Sequence, residues 1–416
     1  MQVFEHEKIS VGQDQFLPEH WNALSNHKKL IDSGVITLYN NAVKFSEFVG
    51  VVQVGSLTIE ILPKIDRDDQ GKSKWQNILI EMLRECHWMR HQTFDKAPLR
   101  IKHNSILEAY LEMFLNLCEH LLHQGLIKKY RSQESNKYAL KGKLVVALNI
   151  RRNLVHQERF YTKGTIYDRN NIFNCILLKA IRLIPVISGR SSMKDRVNRL
   201  LIDFPELPDI RVNYETFRDL VFDRKTNHYK EAIDIAAMLL LNYRPDIVGG
   251  RNHVLAILFD MNKLWEEYVF RQLRNSLPDN WEIEYQSRMK FWELNDKSRE
   301  KGVKPDVVLI SESKKATIID TKWKLPDDNI PEDGDLKQMF VYNEYWGGQH
   351  AVLLYPQSYF SELPEYIEGR FADKYKGVPA HNCGIMKISV LDKENLRLNE
   401  SVGNNIFTFL KSKAFA

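Results

Sequence analysis

One segment constrains the architecture of this 416-residue chain more than any other: GVKPDVVLISESKKATIIDTKWK, residues 302–324. Two short runs rich in β-branched residues, Val307–Ile310 and Ala316–Thr321, flank a polar stretch, which predicts strand, turn, strand. Pro305-Asp306 opens the first strand and Asp320-Thr321-Lys322 ends the second. If the strands pair as a hairpin, both carboxylates reach one edge of the sheet. Asp320 and Lys322 then share a face, because side chains alternate with a period of two. Converging carboxylates are costly unless a cation lies between them, and hard oxygen donors suit Mg2+ or Mn2+. The main-chain carbonyl of Thr321 is a further candidate ligand. The Lys322 ammonium can orient a water, or help deprotonate it, for attack on a phosphodiester.

The surroundings predict an α/β core. Upstream, Met261, Leu264, Trp265, Tyr268, Val269 and Leu273 mark one face of a helix that also carries Glu266 and Glu267. A strand follows around 281–285, then a charged loop at 295–301. Downstream, a helix over 335–345 precedes a strand at 351–355. Helix, strands, helix, strand implies a mixed sheet flanked by helices. Gln338 and Tyr342 are four residues apart and share one helical face.

The N-terminal half reads as a separate α+β domain. Residues 51–65 predict a hairpin turning at Gly55-Ser56, and a loop spans 66–74. A helix begins near Trp75, another is capped by Asn104 or Ser105 and stops at Gly125, and more helices follow at 172–187, 193–201 and 228–243. Arg244-Pro245-Asp246 and Gly249-Gly250 break the pattern. The expected division is therefore an N-terminal domain over 1–245 and a C-terminal domain over 246–416, to which the resemblance given below assigns partner binding and catalysis.

Charge sharpens this division. The chain carries 59 Lys+Arg against 54 Asp+Glu, for a net charge of +5. Residues 121–163 alone hold ten basic residues and two acidic ones, Glu134 and Glu158. Lys128, Lys129, Arg131, Lys141, Lys143, Arg151 and Arg152 in this segment are candidates to contact a phosphate backbone or an acidic protein partner. Tyr130 and Tyr138 interleave with them. Four scattered cysteines form neither a zinc motif nor a disulfide framework, so buried free thiols in a cytoplasmic setting are expected. No apolar stretch approaches the roughly 20 residues that span a bilayer. Gly71-Lys72-Ser73 has the end of a Walker A sequence, but Asp66 stands where that pattern needs glycine, so no nucleotide site is expected.

Pro-Asp, a spacer and then Asp-x-Lys resemble the signature of the PD-(D/E)xK nuclease superfamily. That superfamily often places a metal-supporting Glu on the helix before the core sheet, which implies Glu266, with Glu267 as its rival. Asp335, Gln338 and Tyr342 resemble the Gln-x-x-x-Tyr element of nucleases related to the RecB family, where they contact DNA phosphate or brace the active-site lysine. GSLTIEILPKI (55–65), Gly142-Lys143-Leu144, Tyr167-Asp168-Arg169-Asn170-Asn171, LWEEYV, PDVVL, IIDTKWK and DLKQMFVYNEYWG follow the order of the McrC family. The resemblance runs from about residue 50 to 355 and is most specific in its last hundred residues. It implies a Mg2+-dependent endonuclease subunit with Asp306, Asp320 and Lys322 as catalytic positions, and Glu266, Gln338 and Tyr342 in support. It also implies a hexameric McrB-like AAA+ GTPase that binds and translocates double-stranded DNA containing modified cytosine. The N-terminal half would stimulate that GTPase. Two alternatives stay open: a nuclease of a related system not specific for methylcytosine, and a non-cleaving activator or scaffold of an AAA+ partner.

Overall fold

The runs around the Pro-Asp and Asp-x-Lys motifs do form neighbouring strands. In the computed structural model, Val307–Ile310 pairs antiparallel with Ala316–Thr321, with Val307 opposite Ile319 and Ile310 opposite Ala316. Both strands are almost wholly buried, which suits their aliphatic composition. The structure describes residues 1–55, 57–65, 71–86, 105–244, 254–324, 327–348, 350–372, 381–394 and 397–413.

The two strands are the centre of a six-stranded mixed sheet. Its order is Glu282–Tyr285, Val307–Ile310, Ala316–Thr321, His350–Gln357, Asn382–Ser389 and Glu365–Ile367. Ala316–Thr321, His350–Gln357 and Asn382–Ser389 run parallel, while the outer pairings are antiparallel. The first parallel step needs a crossover, and the helix Asp333–Trp346 supplies it. Ile318, Met339, Tyr342, Leu353, Tyr355 and Ile385 form the core between this helix and the sheet. Because strand residues alternate, Asp320 and Lys322 lie on the same face as Ile318, toward that helix. The helix Met261–Ser276 packs on the Ala316–Thr321 strand as well, burying Leu264, Trp265, Tyr268 and Val269. The architecture is thus a multi-domain α/β one, with mixed sheet flanked by helices.

Residues 1–99 belong to the same compact unit as 258–416, while 100–257 form a second unit. This departs from the single cut near 245 expected from sequence; residues 245–253 themselves lie outside the described residues. The physical reason is burial between distant segments. Trp323 Nε1 donates to Glu5 Oε1 at 2.8 Å, and the Leu398 amide donates to Glu81 at 2.8 Å. The helix Lys72–Glu85 packs on Met261–Ser276. Within 1–99, the expected hairpin is present as Phe48–Val54 with Leu57–Leu62, Val54 opposite Leu57. Gly55 turns it at φ +58°, while Ser56 lies outside the described residues, as do 66–70 of the expected loop. Gly71 caps the Lys72–Glu85 helix, whose Trp75, Ile78, Leu79, Met82 and Leu83 are buried. The Gly-Lys-Ser triplet therefore starts a core helix.

In the second unit, Ile106–Gln124 packs with the helices Ile172–Ile187, Ser191–Asp203 and Lys230–Asn242. Ser105 is the N-cap of the first of these and Gly125 ends it at φ +88°; Asn104 lies outside the described residues. The basic segment forms a three-stranded sheet in which Phe160–Asp168 sits between Lys129–Lys137 and Lys143–Leu144. Gly142 (φ +102°) is needed there, because a Cβ would lie 2.5 Å from the Lys163 carbonyl oxygen. All four cysteines are buried free thiols. Among the described residues, no helix is long and apolar enough to cross a membrane.

Candidate active site

The hairpin brings Asp306 and the end of the Ala316–Thr321 strand together. Asp306 Oδ2 accepts from the Thr321 amide at 2.7 Å and from Thr321 Oγ1 at 2.8 Å. The side chain and amide of Thr321 therefore orient Asp306, a role the sequence did not suggest. Asp320 is only 3% exposed. Its Oδ2 lies 2.8 Å from Lys322 Nζ but receives no well-aligned hydrogen bond. Lys322 Nζ also lies 3.0 Å from Asp335 Oδ1. Asp335 stands in the first turn of the Asp333–Trp346 helix, where negative charge is favoured by the helix dipole.

Burial sets the electrostatics. It pushes the Asp320 carboxyl up to about 7, reinforced by the Asp306 charge and opposed by Lys322. Burial likewise raises Asp306 to about 6, with Glu266 adding to the rise and the Thr321 hydrogen bonds opposing it. For Lys322, burial favours the neutral amine, yet Asp320 and Asp335 outweigh it and hold the ammonium above its ordinary value. The result is a set of carboxylates that repel one another in low dielectric, with Lys322 bridging two of them and Lys324 approaching Asp335 at 3.7 Å.

The upstream helix distinguishes its two glutamates. Glu267 Oε1 pairs with Arg271 at 2.6 Å, one helical turn on. Glu266 is instead held by Gln286 Nε2, and its carboxyl is raised by burial and by the Asp320 charge. The rival is thus occupied elsewhere, and Glu266 shares the electrostatic field of Asp306 and Asp320. Gln286 itself adjoins the site, since its amide donates to the Asp306 carbonyl at 2.9 Å.

Gln338 and Tyr342 act one step back from the carboxylates. Gln338 Nε2 donates to the Tyr342 hydroxyl at 2.6 Å, and that hydroxyl donates to the Lys304 carbonyl at 2.9 Å. The pair therefore braces the chain entering Pro305-Asp306, and Lys322 is met by Asp335 instead. Burial raises the Tyr342 hydroxyl to about 12, so it stays a donor.

The basic candidates lie in the other unit. Arg131 is committed to Asp168 through Nε at 3.0 Å and Nη2 at 2.8 Å. Lys129 sits 4.5 Å from the Phe173 ring centroid and Arg152 sits 4.8 Å from that of Tyr161. Lys128, Lys141, Lys143 and Arg151 are exposed and form no ion pair among the described residues. Asp168 also accepts from the Asn170 amide, and Asn171 caps the Ile172–Ile187 helix. The 167–171 motif thus builds the fold of this unit.

Among the described residues, no group of three or more His, Cys, Asp or Glu side chains is gathered as a metal centre. Asp306 and Asp320, with Glu266 in their electrostatic field, are the candidate donors.

Comparison with known proteins agrees in fold and family. A family model described as McrBC 5-methylcytosine restriction system component matches residues 43–356. No curated protein matches the chain. Among solved structures, the chain resembles one in a refined half-complex from a tetradecameric assembly of Thermococcus gammatolerans McrB AAA+ hexamers with bound McrC. The identity is 18% and the TM-score 0.73, over 99% of both chains. A chain of the Thermococcus gammatolerans McrBC complex, determined by cryo-EM, matches at 18% identity and a TM-score of 0.51. That match covers 67% of this chain and 88% of the other. At such identity the likeness to these structures carries the fold alone.

Proposed function

This chain belongs to the McrBC family of 5-methylcytosine restriction-system components, and on that premise we propose that it is the subunit that cuts DNA. In this reading, residues 258–416 hold a PD-(D/E)xK endonuclease core that hydrolyses phosphodiester bonds with Mg2+ or Mn2+. The partner is a McrB-like AAA+ GTPase hexamer that carries double-stranded DNA with modified cytosine, and the chain stimulates its GTP hydrolysis. The observation that carries the proposal is buried Asp320 beside half-buried Asp306, with Lys322 between Asp320 and Asp335.

The donor set fits a divalent cation. Desolvation and mutual repulsion raise the Asp306 and Asp320 carboxyls, and a hard cation between them would relieve both effects. Asp306 and Asp320 would hold the ion, with the Thr321 carbonyl and Glu266 in support. When bound, the ion supplies Lewis acidity at the scissile phosphate and a nucleophile at neutral pH. The chain's own residues do the rest. Thr321 fixes the Asp306 carboxylate, while Gln338 and Tyr342 hold the strand entry that aims it. Lys322 stays charged while it bridges two carboxylates, so it acts as a positioned cation toward phosphate oxygen and water.

The test is Mg2+-dependent cutting of a 5-methylcytosine duplex in the presence of the partner GTPase, comparing wild type with Asp320→Ala and Lys322→Ala. Undiminished cutting by both variants removes the site assignment. Cutting of unmodified duplex equally well assigns the chain to a related system. A second reading is a non-cleaving activator of an AAA+ partner. GTPase stimulation without any cutting by the wild type decides for that reading.

A further inference from the structure

The charged loop expected at 295–301 is the tip of a β-ribbon whose strands the sequence did not suggest. Met289–Glu293 pairs antiparallel with Glu300–Val303, and among the described residues no third strand joins them. Every residue of the first strand is exposed. An isolated two-stranded ribbon is marginal in water, yet this one displays large apolar side chains. Phe291 is 50% exposed and Trp292 51%. A register shift between Lys290 and Trp292 breaks the alternation. Phe291 leans on Tyr345, with ring centroids 5.8 Å apart, and Trp292 is left on the open surface.

The ribbon is rooted at the carboxylates. Val303 packs against the core beneath the Asp333–Trp346 helix. The next residue, Lys304, is pinned through its carbonyl by Tyr342, and Asp306 follows two positions later. The charge along residues 288–304 is six basic against three acidic. Two of the acids are internally matched: Glu293 to Lys290, and Glu300 to Lys290 and Arg288. Lys297, Arg299 and Lys301 form no ion pair among the described residues.

We infer that this ribbon is a duplex-gripping arm that presses on DNA beside the cutting site, Trp292 against the bases or sugars and Lys297, Arg299 and Lys301 on phosphates. The inference deepens the proposed endonuclease reading and rests on it. A two-stranded ribbon fits a major groove about 12 Å wide, and an exposed aromatic among cations suits nucleic acid. Protein interfaces favour tryptophan but are depleted in lysine, so the lysines argue for phosphate. Rooting beside Asp306 gives the arm a purpose, because it steadies the strand whose phosphate must reach the carboxylates.

The test is fluorescence anisotropy of a labelled methylated duplex with the full chain, Ca2+ replacing Mg2+, over a salt series. Trp292→Ala is expected to weaken binding about tenfold with the salt slope unchanged. The triple variant Lys297→Ala, Arg299→Ala, Lys301→Ala should flatten the slope by about 0.9 per lost phosphate contact. Both sets of changes are on the surface, and circular dichroism checks that each variant folds. The inference is overturned if the wild type binds no duplex, or if both variants bind as the wild type does. It is also overturned if the variants lose self-association, by sedimentation, with DNA affinity intact, because the ribbon then joins copies of the chain. Asp320→Ala is run alongside. If that variant cuts as the wild type does the site assignment fails, and if the wild type cuts no DNA the endonuclease reading fails, whereas the anisotropy result stands independently of cutting.

Discussion

The Ala316–Thr321 strand and the Lys129–Lys137 strand both carry charge, in opposite environments. The first is buried along nearly its whole length, and its Asp320 is pushed up to about 7, chiefly by desolvation and then by the Asp306 charge, against the pull of Lys322. The second alternates half-buried and exposed residues throughout, and its Arg131–Asp168 pair has both side chains about one-third exposed. In the first setting each charge must be answered by another: Asp320 by Lys322, Lys322 by Asp335. In the second, water shares the charges with exposed pairs such as Arg131–Asp168 and Lys163–Glu134, and further along the segment Lys141, Lys143 and Arg151 stay exposed and available to a partner at little cost. Buried charge suits chemistry, and exposed charge suits association.

The comparison is broken most decisively at Asp320. Asp320→Asn keeps the shape and removes the charge, so cutting should fall about 1000-fold or more. The same change should stabilise the metal-free chain. A carboxyl raised in the folded state binds its proton more tightly there than in the unfolded chain. The stability this contributes is present at low pH and lost as pH rises from about 4 through 7. The Asn variant escapes that loss, so its melting temperature at pH 8 should exceed that of wild type by a few degrees. An equal or lower value means that Asp320 is fully compensated by Lys322.

Metal uptake is the next largest effect. With the two carboxyls at about 6 and 7, protons compete with a divalent ion below neutrality. Mn2+ affinity, measured by calorimetry, should be roughly 100-fold weaker at pH 5.5 than at pH 8. A pH-independent affinity places the ion elsewhere.

What could be read from sequence follows the same contrast. Val307–Ile310 and Ala316–Thr321 were legible because burial of both faces leaves short unbroken β-branched runs, and the Gln338/Tyr342 face because helix spacing sets it. The Met289–Glu293 strand was not assigned, because every one of its residues is exposed and so no buried face sets an alternation to detect. Asp335 was seen as part of a motif, but its pairing with Lys322 is a contact between elements that no local pattern encodes. Glu266 and Glu267 are adjacent on the helix, and only the third dimension shows that Arg271 occupies one and Gln286 the other. The packing of residues 1–99 with 258–416 escaped for a similar reason. A Glu5–Trp323 hydrogen bond leaves no trace in either segment alone.

The exposed side of the comparison predicts smaller, salt-sensitive effects. Replacing Lys141, Lys143 and Arg151 by alanine removes three solvated charges, each worth about 0.5 kcal/mol in contact with a partner. Affinity for the GTPase should therefore fall about tenfold at low salt and little at high salt. Cutting at saturating partner should be unchanged. If instead cutting is lost while partner affinity holds, these residues touch DNA, and the basic segment belongs with the chemistry.

The smallest effect discriminates the two neighbouring glutamates. Glu267→Ala removes a one-turn ion pair with Arg271 whose members are 19% and 27% exposed. Such pairs contribute about 0.3–0.5 kcal/mol, so the melting temperature should drop by only about a degree, with cutting near wild type. Glu266→Ala should do the reverse. It removes a carboxylate that burial and Asp320 already disfavour, so stability should hold or rise slightly while metal-dependent cutting falls. Equal losses of cutting in both variants mean that the helix is needed only as packing, and Glu266 then has no place beside Asp306 and Asp320.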